Sequence, residues 1–180
     1  KLQANHFSIR LTDLSKDNLH AYEKGSYPVP EQIDTWSSTG QLPSLNFEMI
    51  EMVQDKEAMF THDLQVHIIC VPSSYLEGKY GDNLVLLAES FRANANSKHK
   101  PLIIFQSASG PGSIERDFLK NLDSENNNYF VGSAFRSDWS IEEFLSRQEA
   151  QVVSGVDSNS IKLVSQFYDL LRIESIPVPS

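Results

Sequence analysis

The 180 residues suffice for one domain with a proper core, and 40% hydrophobic with 22% charged content is ordinary for a globular protein. Twenty-four acidic against 15 basic side chains give a formal charge of -9, which opposes general binding to nucleic acid or to an anionic membrane, since both need basic surface. No apolar run is long enough to span a bilayer, and no signal peptide is visible.

In chain order, Phe7-Ser8-Ile9-Arg10-Leu11 alternates apolar and polar residues and predicts a strand, with Asp13 at its end. Residues 15–24 predict a short helix, capped by Ser15, with Leu19 and Tyr22 on one face and Gly25 as its stop. Tyr27-Pro28-Val29-Pro30 is held extended by its prolines, and 31–36 predicts a helical turn. Residues 47–53 read equally as strand or helix. A short helix is expected over 55–60. Residues 66–71 predict a β-branched, buried strand that Pro72 ends. Within it, His67 reads as a core histidine. Cys70, the one cysteine, reads as a small apolar residue of the same strand, with no adjoining basic group to activate it as a nucleophile. A single cysteine permits no internal disulfide and suits a reducing cytoplasm.

Residues 84–95 predict a helix with Leu84, Leu87, Ala88 and Phe91 on one stripe. Residues 102–105 predict the next strand. It runs into Gln106-Ser107-Ala108-Ser109-Gly110-Pro111-Gly112, and a helix is expected over 113–122. This strand–loop–helix passage suggests a nucleotide or phosphate pocket. Small residues let backbone N–H groups face a ligand, and a helix start favours anions. A short strand is expected at 129–131, a helix or helical turn at 139–147, a strand followed by a turn over 151–157, a helix over 159–171 capped by Ser158, and a last strand over 173–178. Alternating strands and helices, with buried and non-alternating strands, make the fold class α/β with a mostly parallel sheet. No internal repeat or second domain is visible, so residues 1–180 read as a single domain.

Four segments, in this order, carry a family resemblance. Asp13 and Lys16 precede Glu23-Lys24-Gly25-Ser26-Tyr27-Pro28-Val29-Pro30-Glu31, which is similar to an "N-x-G-x-x-P-I-x-E-P" segment. Ile68-Ile69-Cys70-Val71-Pro72-Ser73-Ser74 is similar to a "V-P-T-P" strand end. Gln106 to Glu115 is similar to "E-S-T-V-x-P-G-T-T-E", and Val152-Val153-Ser154-Gly155-Val156-Asp157 to "V-V-G-G-V-D". Together they resemble the NAD-binding domain of the UDP-glucose/GDP-mannose dehydrogenase family. The resemblance implies a Rossmann-like fold and an NAD-dependent oxidoreductase. Such enzymes oxidise the C6 hydroxyl of a nucleotide sugar to a carboxylate and serve polysaccharide biosynthesis. It also implies a cytoplasmic location and a homo-oligomer for an intact protein.

The resemblance assigns Asp13 to the ribose hydroxyls of NAD, although a helix-capping or turn aspartate fits the same position. It assigns Lys16 to the ribose or a phosphate, Val71, Pro72 and Ser73 to the cofactor's side, and Ser107 with Ala108 to the nicotinamide end. Lys16 reads equally as an exposed helix lysine, and Pro72 as a strand-ending proline.

Several departures matter. The family's G-x-G-x-x-G loop and the strand before it are missing from these residues, and with them the helix N-terminus that holds the pyrophosphate. Ala108 stands where the family has a catalytic threonine. Phe135 falls where a glutamate is expected, and a phenyl ring transfers no proton, so the catalytic residue is unassigned. Lys1 opens the chain, which is expected to be a fragment, a processed product or an incomplete stretch of a longer protein. Alone, these residues are expected to hold no complete active site. The second reading is a degenerate relative that keeps the fold for nucleotide binding or protein assembly. No metal site is expected, because the five histidines are scattered.

Overall fold

The structure is a computed structural model that describes residues 9–13, 16–23, 50–53, 64–70, 82–94, 100–107, 112–122, 129–135 and 150–179. The chain divides into two compact units, residues 1–59 and 60–180. The helices expected at 31–36, 55–60 and 139–147 lie outside the described residues.

In the first unit, β1 (Ile9–Leu11) pairs in parallel with β2 (Ile50–Met52), placing Ile9 opposite Ile50 and Leu11 opposite Met52. Residues 50–52, within the segment that read as strand or helix, are therefore a strand. Val53 N–H prolongs the ladder by donating to Leu11 C=O at 2.9 Å. Arg10 faces Glu51 across the pair, and their charged groups meet at 2.7 Å. Between the strands, α1 (Lys16–Glu23) buries Leu19.

The second unit holds a five-stranded sheet in the order β3 (Val66–Ile69), β4 (Leu102–Phe105), β5 (Phe130–Phe135), β6 (Gln151–Gly155), β7 (Ser175–Pro177). The first three strands are parallel; β6 runs antiparallel to β5, and β7 parallel to β6. The expectation that β1 shares one sheet with β3, β4 and β5 is corrected: β1 belongs to a two-stranded sheet with β2.

One face of the larger sheet is covered by α2 (Asp82–Ala93) and α3. The latter starts as a π-helical stretch, Ile114–Leu119, and ends in an α-helical turn, Lys120–Leu122. Leu84, Ala88 and Phe91 of α2 and Phe118 and Leu122 of α3 pack on Ile103, Phe105 and Val131. The rings meet edge to face, Phe91 on Phe118 at 6.0 Å and Phe105 on Phe118 at 4.9 Å, the arrangement that ring quadrupoles favour. All four residues of β4 are buried, which explains its unbroken apolar sequence.

The other face receives α4 (Ser158–Leu170). Gly132 and Gly155 are partners across β5 and β6. A Cβ on Gly155 would lie 2.7 Å from the backbone nitrogen of Ile161, and one on Gly132 2.5 Å from a methyl of Val164. Two side-chain-free positions side by side thus let the helix lie close on the sheet. Fully buried Ser160 then reaches β5, where its Oγ accepts from Val131 N–H at 3.2 Å.

The cap of α4 is Asp157, one residue before the expected Ser158. Its carboxylate accepts from Ser160 N–H at 2.7 Å, which holds it below the usual carboxylate range. The helix closes with Ile173 N–H on Tyr168 C=O and Arg172 N–H on Asp169 C=O, and Arg172 takes a left-handed φ of 57°.

Candidate functional site

Parallel strands direct their carboxyl ends to one edge, where ligands of open α/β sheets bind. In the second unit that edge carries Cys70 just past β3 and Gln106 and Ser107 just past β4. The carbonyl of Ile69 gathers them: Gln106 N–H donates to it at 2.9 Å and Ser107 Oγ at 3.3 Å. With its proton committed to Ile69, Ser107 offers its remaining lone pairs as acceptors.

Gln106 is itself exposed, yet its amide is held from two sides. Oε1 faces the Cys70 thiol at 4.0 Å, and Nε2 donates to the hydroxyl of buried Tyr168, which α4 brings across the sheet. Burial raises the Tyr168 hydroxyl above its ordinary pKa, the Gln106 bond opposes that rise, and nearby Cys70 adds to it.

Cys70 requires a correction. It is exposed and lies one residue beyond β3, because pairing with β4 ends at Ile69 opposite Phe105. Its sulfur is nevertheless desolvated enough to raise the thiol pKa, the opposite of what activates a nucleophile. His67 is the core histidine expected. It lies edge to face on Phe91 at 4.9 Å, and burial lowers its pKa to about 4, so the ring is neutral at pH 7.

Past the β4 exit, Gly112 has a φ of +72°, a conformation open to glycine and strained for other residues. Its carbonyl accepts from Arg116 N–H at 2.9 Å and opens α3.

Of the residues the sequence singles out, Asp13 is half-buried two residues past β1, and Lys16 is exposed as the first residue of α1; both belong to the first unit. Ser107 belongs to the second unit and sits at the β4 exit. Val71, Pro72, Ser73 and Ala108 lie outside the described residues. Phe135 is the last residue of β5 and pairs with Val152 across the antiparallel ladder. Sequence reading missed Tyr168. The only signal available was a tyrosine within the apolar face of α4, and a core residue gives the same signal.

The chain is similar in fold to solved dehydrogenases. GDP-mannose dehydrogenase from Pseudomonas aeruginosa matches with a TM-score of 0.73 and 15% identity over 99% of this chain and 42% of that one. The fold is Rossmann-like. UDP-D-ManNAc dehydrogenase from Pyrococcus horikoshii matches with a TM-score of 0.70 and 14% identity over 98% of this chain and 42% of its own. UDP-glucose dehydrogenase from Pyrobaculum islandicum gives 0.66 and 13% over 96% and 40%. The chain thus spans about two fifths of the length of these enzymes. No protein-family model matches the sequence, and no curated protein matches it. Among the described residues, no helix is long and apolar enough to cross a membrane.

Proposed function

We propose that this chain is the NAD-binding domain of a nucleotide-sugar dehydrogenase-like oxidoreductase. The parent protein is of the UDP-glucose/GDP-mannose dehydrogenase type, which oxidises a sugar C6 hydroxyl to a carboxylate. The observation that carries the proposal is the likeness to GDP-mannose dehydrogenase over 99% of the chain. The order of the four sequence motifs supports it independently.

NAD supplies the acceptor for the substrate's hydride. In the first unit, Asp13, half-buried past a strand end, is of the type that meets ribose hydroxyls, with Lys16 near it in sequence. In the second unit, Ser107 offers acceptor lone pairs at the β4 exit, and Val71, Pro72, Ser73 and Ala108 belong to the same proposed cofactor set. No G-x-G-x-x-G, the usual holder of a pyrophosphate, occurs in the 180 residues. The chain by itself is therefore a weak NAD binder and catalytically inactive. A nucleotide-sugar substrate, a homo-oligomeric state, a cytoplasmic location and a part in polysaccharide biosynthesis belong to the same proposal for the intact protein.

A second reading, a degenerate non-catalytic relative used for nucleotide binding or assembly, is favoured by Phe135. That residue is paired within β5, at the position where the resemblance asks for a glutamate. Hydride transfer separates the two: reduction of NAD by a nucleotide sugar in the intact protein supports the dehydrogenase reading, and its absence supports the degenerate relative. NMR titration of this chain with NAD tests the nucleotide site itself: saturable binding with a Kd on the order of 0.1–10 mM, weakened by Asp13→Ala, supports it, and the absence of any NAD-induced shift leaves assembly.

A further inference from the structure

We propose that Tyr168 is a positioning residue for the site at the β4 exit, acting through Gln106. The proposal rests on the reading of that exit as part of a dinucleotide site.

A phenol hydroxyl gains nothing from burial unless it is hydrogen-bonded. Tyr168 is only 2% exposed, and its hydroxyl meets the side-chain amide of Gln106. That bond is not needed to seat α4. The helix is already held by the Gly132–Gly155 contact surface, by the Ser160 bond to Val131 N–H and by buried Val164 and Phe167.

The bond changes the freedom of Gln106. An exposed glutamine ordinarily samples many rotamers. Here the backbone N–H is fixed on Ile69, Oε1 faces Cys70 and Nε2 is fixed on Tyr168. Ser107 follows directly, with its own hydroxyl on the same Ile69 carbonyl. The exits of β3 and β4 are therefore tied to each other and, through one amide, to the end of α4. Arriving ligand meets a set strand exit, so the cost of ordering it does not fall on binding.

The test uses Tyr168→Phe, Gln106→Leu and the double variant, each titrated with NAD by NMR. Each single variant is expected to weaken NAD about 3- to 10-fold, the worth of one net hydrogen bond. The double variant is expected to lose no more than the weaker-binding single, because both remove the same bond. The thermal midpoint of Tyr168→Phe should move by less than about 3 °C, since Gln106 is exposed and water takes over its amide. A merely structural role gives the reverse: lower midpoints with unchanged affinity.

Labelling of Cys70 with a thiol reagent supplies a readout without ligand, and Tyr168→Phe should alter its rate by releasing the amide that faces the sulfur. Wild-type binding with an unaltered Tyr168→Phe variant, or additive losses in the double variant, overturns the proposal alone. No saturable NAD binding by the wild type overturns the site reading and the proposal together.

Discussion

Gly155→Ala tests the close seating of α4 directly. The added methyl would lie 2.7 Å from Ile161 N and 2.8 Å from Ser160 Cβ, while ordinary contact begins at 3.4 Å. The helix start must therefore retreat by about 0.7 Å from the sheet. Neither obstacle is the free end of a flexible side chain: one is backbone, and the other is the Cβ of a fully buried serine. Overpacking of this kind costs about 1–3 kcal/mol. The retreat also stretches the 3.2 Å bond from Val131 N–H to Ser160 Oγ. A buried donor left unmatched adds about 1–3 kcal/mol. The expected loss is thus about 2–6 kcal/mol, or roughly 4–24 °C in Tm for a chain of this size. Urea unfolding followed by circular dichroism measures it. Gly112→Ala is the control: its Cβ meets nothing within 4 Å, and only the φ of +72° resists it, so about 1 kcal/mol is expected. A Gly155→Ala variant as stable as wild type, or no more harmed than Gly112→Ala, refutes the contact surface drawn here.

His67 makes stability depend on pH. Its folded pKa of about 4 lies below the ordinary 6.5, so between those values the unfolded chain binds more protons. Stability is complete above about pH 6.5 and falls toward pH 4, by about 3 kcal/mol in all. Urea midpoints of wild type and His67→Phe should diverge below pH 6, and parallel curves would exclude this origin. At the far end of α4, Arg172→Gly should raise stability by about 1 kcal/mol, because a left-handed φ of 57° strains any residue with a Cβ. An unchanged or lower thermal midpoint would count against it.

Much of the fold was legible along the chain because it is written in local pattern. The apolar run of β4 reports burial on both faces, and the stripe of Leu84, Ala88 and Phe91 reports the buried face of α2. The helix over Ser158–Leu170 shows itself by periodicity, displaced from its expected span by the choice of Asp157 over Ser158 as cap. Those signals depend on residues three or four apart, or on neighbours, and need no knowledge of the rest. Asp13 and the β4 exit were likewise placed at strand ends by sequence alone.

Pairing decided the rest. Residues 50–52 carry no periodicity that separates strand from helix; they became β2 because β1 offered its edge. The direction of β6 is set by its partner β5, not by its own residues. Cys70 sits next to apolar neighbours in sequence but past the last paired residue in space, and so it is exposed. Gly155 looks like a turn glycine, yet its role comes from a helix that packs on it. Gln106 and Tyr168 stand 62 positions apart, and only the crossing of α4 over the sheet brings amide and hydroxyl together. Periodicity registers which face of an element is apolar; which element covers that face, and which polar groups then meet, follows only from the folded chain.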